Sequence, residues 1–346
     1  MIDQHILNVV MEVELALLAL SVLLFFAHGS WLHFLNARND RLTAEGRVRL
    51  VRIMSAEKPD PADIGFLGSL PRTVKTKVFL EISRSLSGDA KERLKSAACG
   101  AGLVETARKF CRSSDWRDRL RGARLLTNLE EADPIVRELL HDRHSGVRAQ
   151  AAEWAASYPS EQIIADMLEL LGDPDTLSRF AVQDSLLRMG RVIVEPLVGF
   201  LAHRTGQAAE VGLELAEAVA EPAFLTVSLH HSRSKSRQVK IAASAVLAAI
   251  GGDAASGRLT ELLAEESGSV RAAAARGLGK MKHWNAATQL AAMLSDSRWE
   301  VRRESAMALR RIGGPGLLLL RKAAGGSDER PASIAQLILD TPLQVT

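Results

Sequence analysis

The chain has 346 residues, of which 47% are hydrophobic and only 4% aromatic. Strands favour aromatic and β-branched residues, so this composition, rich in Ala, Leu and Arg, argues against a β-sheet protein and predicts an all-α fold. The two cysteines, Cys99 and Cys111, fit neither a disulfide framework nor a metal-binding spacing, which argues against a small disulfide-stapled secreted domain.

The net charge of +3 is unevenly distributed. Residues 71–127 carry 14 basic and 6 acidic side chains, residues 128–222 carry 7 and 17, and residues 223–346 carry 17 and 10. A nucleic-acid-binding surface gains much of its affinity from a continuous basic stripe that neutralises phosphates. The acidic middle of this chain interrupts such a stripe, so no nucleic-acid partner is predicted.

The first predicted element is a transmembrane helix within residues 1–37. The apolar stretch VELALLALSVLLFFAHGSWLHFL, from Val13 to Leu35, offers about 21 membrane-compatible residues, or about 32 Å of helix against a hydrocarbon core of about 30 Å. A buried core helix and a signal peptide are the alternatives. A signal peptide starts with positive charge, whereas this leader carries Asp3, Glu12 and Glu14 and neither Lys nor Arg. A retained single-pass anchor is therefore predicted.

Residues 38–65 are predicted to be a basic juxtamembrane segment and a linker. The arginines that follow the apolar stretch are Arg38, Arg41, Arg47, Arg49 and Arg52. Positive charge at the end of a span favours the cytoplasmic side, so the anchor is placed in the inner (cytoplasmic) membrane with the C-terminal body in the cytoplasm. SAEKPDPADIG, residues 55–65, is typical of a linker. A protein that starts near Ala56 is thus expected to be soluble and helical.

Two helical segments without a clear repeat flank the centre of the chain. Residues 66–113 have helical periodicity, as in KERLKSAACGAGLVETARKF, and are predicted to form a diverged N-terminal cap. Residues 314–346 are predicted to form a C-terminal helical cap. Such caps cover the apolar faces of the outermost units in a repeat protein.

Residues 114–313 consist of a repeat of about 31 residues. The pattern of DSRWEVRRESAMALRRIG, residues 296–313, recurs along the chain in diverged copies. The basic residue at its seventh position falls at Arg148, Arg179, Lys240, Arg271 and Arg302. The steps are 31 residues, except for one of 61 that leaves room for a degenerate unit with Ala209 at that place. A diverged copy begins at Ser114. Each unit is predicted to form two helices. The first is the apolar stretch before the acid that opens the pattern, and the second runs from the Val-Arg pair to a Gly.

These units resemble the short HEAT-like repeats of the PBS-lyase type, through the D-x5-R spacing and the V-R-x-x-A-A core. The resemblance implies a right-handed α-α superhelix, in which the acid and the arginine form a ladder of hydrogen bonds between neighbouring units. The implied pairs are Asp142 with Arg148, Asp173 with Arg179, Glu265 with Arg271, and Asp296 with Arg302. These residues are therefore interpreted as structural, outside any functional site.

No catalytic, cofactor-binding or metal site is predicted. Deoxyhypusine hydroxylase resembles this fold but holds iron through His-Glu dipeptides, and none of the nine histidines here precedes a Glu. A Gly-rich phosphate loop and a G-x-S-x-G elbow are also absent from the sequence. A lyase-type or small-molecule-binding HEAT-like enzyme stays open as the alternative function.

The second helix of each unit lines the concave face in HEAT-like solenoids. With residues 301–312 as the template, positions equivalent to 303, 307 and 310 point away from the buried side. The predicted groove residues are Glu153, Asp184, Glu210, Glu214, Glu217, Ile241, Ala245, Arg276, Arg303 and Arg310. They form an acidic strip, an apolar saddle at Ile241, Ala245 and Ala248, and a basic end. A solvated face without a ligand is the alternative to a protein-binding groove.

The predicted function is a membrane-tethered scaffold or adaptor with a protein partner. The resemblance further implies a bacterial protein that accompanies a membrane-bound glycosyltransferase in polysaccharide synthesis. No cofactor, metal or nucleic acid is expected.

Overall fold

The computed structural model describes residues 4–56, 59–83 and 88–341. Every regular element within these residues is a helix, and none is a strand. The predicted all-α fold is confirmed. The outer ends of the predicted anchor and of the C-terminal cap, residues 1–3 and 342–346, lie outside the described residues. The chain forms two compact units, residues 1–135 and 136–346.

The first unit contains six helices among its described residues. They are α1 Gln4–Ser55, α2 Pro61–Ser69, α3 Arg72–Ser83, α4 Asp89–Gly100, α5 Leu103–Cys111 and α6 Trp116–Asn128. The apolar stretch and the juxtamembrane segment form one helix, α1, without a break. Helix α2 already begins at Pro61, capped by the Asp60 carboxylate, so the connection after α1 is shorter than the predicted linker.

The C-terminal part of α1 belongs to the core of the first unit. Leu50 and Ile53 are buried, and a Cβ on Gly46 would lie 3.2 Å from Leu70 Cδ1 on the segment after α2. The carboxylate of Asp63, only 3% exposed, accepts hydrogen bonds of 3.3 Å from Arg49 and Arg52. A protein that starts near Ala56 would lose these contacts, so the expectation that it folds is withdrawn. Arg38 is the better starting point, since it leaves the buried turns of α1 in place.

The second unit is a stack of helix pairs. Its helices are α7 Ile135–Leu140, α8 Ser145–Ala155, α9 Glu161–Glu169, α10 Thr176–Met189, α11 Val194–His203, α12 Gly206–Val219, α13 Leu225–His231, α14 Arg237–Ile250, α15 Asp253–Leu262, α16 Gly268–Lys280, α17 Ala287–Ala292, α18 Trp299–Ile312, α19 Gly314–Ala324 and α20 Glu329–Asp340. In the series α8, α10, α12, α14, α16 and α18, each helix starts 30 or 31 residues after the start of the one before it. The helix pair is the repeating unit, and α12 occupies the place of the predicted degenerate one.

The ladder joins neighbouring units, but its carboxylate pairs are offset from the implied ones. Arg271 donates through Nε to Asp296 Oδ2 at 2.8 Å, 25 residues further on, and Arg148 contacts Asp173 in the same way at 2.7 Å. Within its own unit, Arg271 donates to the backbone carbonyl of Glu265. The implied pairs are corrected accordingly. The acid faces back toward the preceding unit because its other oxygen accepts a backbone N–H of its own turn, as Asp296 does from Arg298.

The ladder is interrupted beside α12. Lys240 continues it by binding the Glu265 carboxylate at 2.7 Å. Arg179 donates to the backbone carbonyl of Asp173, but the position 25 residues beyond it holds Arg204 in place of an acid. Arg204 instead pairs with Glu169. The α10–α12 step of the stack thus lacks the carboxylate link present at Arg148, Lys240 and Arg271.

Acid should weaken the ladder. Burial alone raises the pKa of Asp296, but hydrogen bonds from Arg271 and from the Arg298 backbone outweigh it and hold the pKa below its usual value. The folded state then binds fewer protons than the unfolded one, whose Asp pKa is about 3.9, so the stabilisation is present above that pH and is lost as pH falls through the folded pKa. The difference in unfolding free energy between wild type and Asp296→Asn should be constant above about pH 5 and should vanish at lower pH.

Urea titrations at several pH values measure this difference. Burial also lowers the pKa of His231, but that contribution is common to both proteins and cancels. A difference that persists undiminished at pH 2 would contradict the ladder role of the ionised carboxylate.

Candidate functional site

The predicted groove follows α8, α10, α12, α14, α16 and α18 of the second unit. Glu153, Asp184, Glu214 and Arg276, in the series equivalent to position 307, are exposed, and Ala245 is half-buried. The flanking series, equivalent to positions 303 and 310, are exposed only at Phe180 and Leu187, and they are half-buried at Glu210, Glu217, Ile241, Arg303 and Arg310. In the later units their members Ala248, Ala272 and Gly279 are buried.

Small residues close the later part of the groove. A Cβ on Gly279 would lie 2.6 Å from Ala308 Cα, and one on Gly277 would lie 3.1 Å from Ala248 Cβ. Helices α14, α16 and α18 therefore pack too closely to leave their small side chains open to a partner. The predicted apolar saddle is reduced to half-buried Ile241 and Ala245.

A small cavity remains over the saddle. It has a volume of about 140 Å³, and its lining includes Glu217, Ile241, Ala245, Arg276 and Lys280. Lys280 Nζ on α16 contacts Glu217 Oε1 on α12 at 3.2 Å, and the intervening α14 lines the cavity with Ile241, Ala245 and Ala248. The salt bridge thus places the positive charge of Lys280, from a later unit, beside the acidic residues of the groove.

The arginines of the predicted basic end are held by the fold. Arg276 and Arg303 both pair with Glu304, whose side chain is 8% exposed. Burial alone raises the pKa of Glu304, but the hydrogen bonds from these two guanidinium groups outweigh it and lower the pKa. Arg310 donates to the backbone carbonyl of Ile338 near the end of α20. These three arginines therefore have structural partners that compete with any ligand.

The acidic strip carries far less compensating charge. We use this name for Glu153 on α8, Asp184 on α10 and Glu214 on α12. Glu153 accepts a hydrogen bond from the Gln150 amide at 3.0 Å, and Glu214 accepts one from the Gln183 amide at 3.5 Å. Asp184 pairs with Arg188, one turn along the same helix, at 3.2 Å. With Glu210 nearby on α12, this end of the groove favours a positively charged partner.

An exposed apolar stripe, which was not among the groove residues predicted from the sequence, runs through the acidic strip. Leu177, Phe180 and Leu187 on α10 are 62%, 71% and 40% exposed. The opposite side of α10 supplies Val182 and Leu186 to the core. A helix apolar on both sides is a recognisable signal, because a surface helix needs only one apolar face. We call Leu177, Phe180 and Leu187 the α10 stripe.

A second cavity lies between α9 and α11, at the first helices of their units. Its volume is about 560 Å³, and its apolar lining comes from Ala165, Leu168, Pro196 and Phe200. Three glutamates, among them Glu195, complete the lining. Because these residues belong to the first helices, the cavity is separate from the groove on the second helices.

The described residues contain no group of three His, Cys, Asp or Glu side chains that could hold a metal ion. His231 is buried, and its Nε2 donates to the Leu201 carbonyl at 2.8 Å. This histidine is a packing residue of the stack. The expectation that the protein needs no metal or cofactor stays a prediction.

One described helix is long and apolar enough to cross a membrane. It is α1, with a candidate span within residues 17–55 and a mean hydropathy of 1.6 over its apolar window. No residue of that window is buried, and Phe25, Phe26 and Leu23 are among the most exposed large apolar side chains. The side chains of residues 4–13, including Glu12, lie outside the described part of the chain.

Comparisons with known proteins agree with the repeat. The family model for HEAT repeats matches residues 257–338. Among solved structures, the karyopherin Kap121p bound to the extreme C-terminus of the protein phosphatase Cdc14p is similar, with a TM-score of 0.52 and 12% identity. The match covers 87% of this chain and 41% of the karyopherin, so the chain spans about two fifths of that relative. No curated protein matches in sequence.

Two further structures match with lower scores. YibA of Escherichia coli has a TM-score of 0.40 and 16% identity over 69% of this chain and 96% of its own. Human deoxyhypusine hydroxylase in complex with glycerol has a TM-score of 0.31 and 18% identity over 87% and 96%. At these identities the structural matches concern the fold alone.

Proposed function

The chain carries HEAT repeats, and from this premise we propose that it is a membrane-tethered scaffold that holds a protein partner on its concave face. A stack of helix pairs suggests a protein-interaction scaffold, because its second helices form an extended surface whose side chains are free to vary. The acidic strip is the observation that carries the proposal. Its carboxylates are exposed on three consecutive second helices, whereas the arginines at the other end are tied to Glu304 and Ile338.

The apolar part of α1 is proposed as the anchor. A buried core helix would hide its apolar side chains, whereas those of this helix are open over its apolar window. The same helix continues without a break into the core of the first unit, which favours a retained anchor over a cleaved signal. Arg38 and Arg41, both exposed, lie just beyond the apolar stretch and favour a cytoplasmic location for the body.

Membrane fractionation tests the anchor. We expect the full chain to sediment with membranes and to resist carbonate extraction, because the apolar stretch of α1 gains its free energy from lipid. A truncated protein that starts at Arg38 should be soluble and helical, and a cytoplasmic reporter fused after Thr346 should be active. Recovery of the full chain in the soluble fraction would overturn the anchor, and reporter activity only outside the inner membrane would reverse the topology.

Purification from detergent-solubilised membranes tests the scaffold. We expect a stoichiometric protein to copurify with the full chain, and a membrane-bound glycosyltransferase of polysaccharide synthesis is the candidate that the repeat resemblance suggests. An inner-membrane location in a bacterium is part of the same proposal. Turnover of a small molecule by the purified chain, with no protein bound, would favour the lyase-type alternative instead.

A further inference from the structure

We infer that the α10 stripe and the acidic strip together bind a cationic amphipathic helix of the partner protein. The apolar side chains of that helix would cover Leu177, Phe180 and Leu187, and its Lys or Arg side chains would contact the carboxylates on either side. This inference rests on the proposed scaffold function and names the chemistry of the segment that the scaffold holds.

The side chains of the α10 stripe share one side of the helix. At 3.6 residues per turn, Leu177, Phe180, Asp184 and Leu187 fall within about 80° of arc on α10. Leu177 and Leu187 are ten residue steps apart, or about 15 Å at 1.5 Å per step. A partner helix that presents apolar residues at positions i, i+4 and i+7 spans about 11 Å, so three anchors fit along it.

None of the three side chains of the α10 stripe belongs to the buried core. The core takes Ser178, Val182, Ser185 and Leu186 from the opposite side of α10, and all four are buried. Phe180, at 71% exposure, could be polar without loss of packing. Exposed apolar residues that share one side of a helix and are bordered by polar residues mark interaction sites in soluble domains.

Negative charge lies on either side of the α10 stripe. Glu153 stands on α8, which packs against α10, and Glu214 on α12 is joined to α10 through Gln183. Both carboxylates receive hydrogen bonds from neutral amides, which leave the negative charge in place. A segment with an apolar face and cationic flanks can cover the α10 stripe and pair with the carboxylates of the acidic strip at the same time. An anionic lipid surface would be repelled by the same carboxylates.

The probe is a labelled synthetic helix of 14 residues with Leu at positions i, i+4 and i+7 and Lys on both sides. The full chain is held in nanodiscs of neutral phosphatidylcholine, and binding is followed by fluorescence anisotropy. An isomer of identical composition and charge, with Leu and Lys positions exchanged so that no apolar face forms, is the peptide control. We expect the amphipathic peptide to bind about tenfold more tightly than the isomer, since only it can bury the stripe.

The matched protein variants are Leu177→Gln with Phe180→Gln, and Leu318→Gln with Leu337→Gln. Both pairs replace exposed leucine or phenylalanine side chains of the same compact unit, residues 136–346. Leu318 and Leu337, however, lie on α19 and α20, away from the strip. We expect the first pair to lose about tenfold in affinity for the amphipathic peptide and the second to be unchanged. Circular dichroism should be the same for both, because none of the four side chains is buried.

The outcomes separate this inference from the proposed function. Equal binding of the two peptides, or unchanged binding by the Leu177–Phe180 variant, would overturn the amphipathic helix. If the natural partner still copurifies with that variant but is lost when the acidic strip is reversed, the scaffold stands and the helix inference fails. If no protein copurifies with the wild-type chain, the scaffold itself fails whatever the peptide does. Self-association of the chain through the stripe, visible by sedimentation, would also overturn the inference.

Discussion

Replacing Arg271 by alanine should lower the free energy of unfolding of the second unit by about 1–3 kcal/mol. The guanidinium group binds both carboxylate oxygens of Asp296, at 2.8 and 2.9 Å, and the backbone carbonyls of Glu265 and Glu266. The Asp296 side chain is almost fully buried, so its charge would stay desolvated with its main partner removed. Urea denaturation followed by circular dichroism measures the change.

Arg302→Ala is the matched control for the ladder. Arg302 makes the same contacts within its unit, to the backbone carbonyls of Asp296 and Ser297. The position 25 residues beyond it, however, is Ser327, and among the described residues Arg302 has no carboxylate partner in the following helix pair. The Arg302 variant should therefore lose less stability than the Arg271 variant. Equal losses would assign the stabilisation to the turn within a unit, and the interpretation of a ladder between units would be wrong.

Reversing the acidic strip with Glu153→Lys, Asp184→Lys and Glu214→Lys should weaken the complex with the copurified partner by about 5- to 150-fold, or about 1–3 kcal/mol. Each exposed pair with a cationic partner contributes only about 0.2–1 kcal/mol, so single neutral substitutions should have little effect. The triple reversal replaces attraction by repulsion. The loss should arise mostly from slower association and should shrink as salt is added. Surface plasmon resonance at two salt concentrations measures both effects.

The matched control reverses Glu138, Glu261 and Asp340, which are exposed on α7, α15 and α20. Its members resemble the strip in their local contacts, since Asp340 accepts from Gln336 and Glu261 pairs with Arg258. The change in net charge is the same in both variants. If the control weakens binding as much as the strip variant does, the effect comes from overall charge, and a specific acidic site is excluded.

The repeat could be predicted from the sequence because the buried face of each second helix requires apolar and small residues at regular spacing. Each second helix needs a buried face, so apolar and small residues recur with the unit, as Val147, Val239, Val270 and Val301 do. The same residues place the start of every second helix. A helix long and apolar enough to cross a membrane could also be predicted, because length and hydropathy depend only on residues adjacent in the chain. Its exposure could not be predicted in this way.

Which groups face one another was decided by the tertiary structure. Arg271 has an acid six residues before it and another 25 residues after it, and only the stacking of units determines that the later carboxylate is its partner. The predicted basic end shows the same limit, because Glu304 accepts Arg276 from one unit and Arg303 from its own. Spacing along a helix predicts which side a residue faces, but not what the neighbouring unit places there.

The openness of the groove also depended on distances between helices. Ala248 and Ala272 hold the same helical positions as Leu187 and Phe180, yet the alanines are buried and the larger side chains are exposed. Gly279 lets α16 approach α18 until a Cβ would clash, whereas the α10–α12 step lacks the carboxylate link of the ladder. The sequence by itself determined the helices, their period and the side each residue faces, because these follow from local periodicity. The tertiary structure decided which of those faces stay open, because burial depends on how closely the next helix packs.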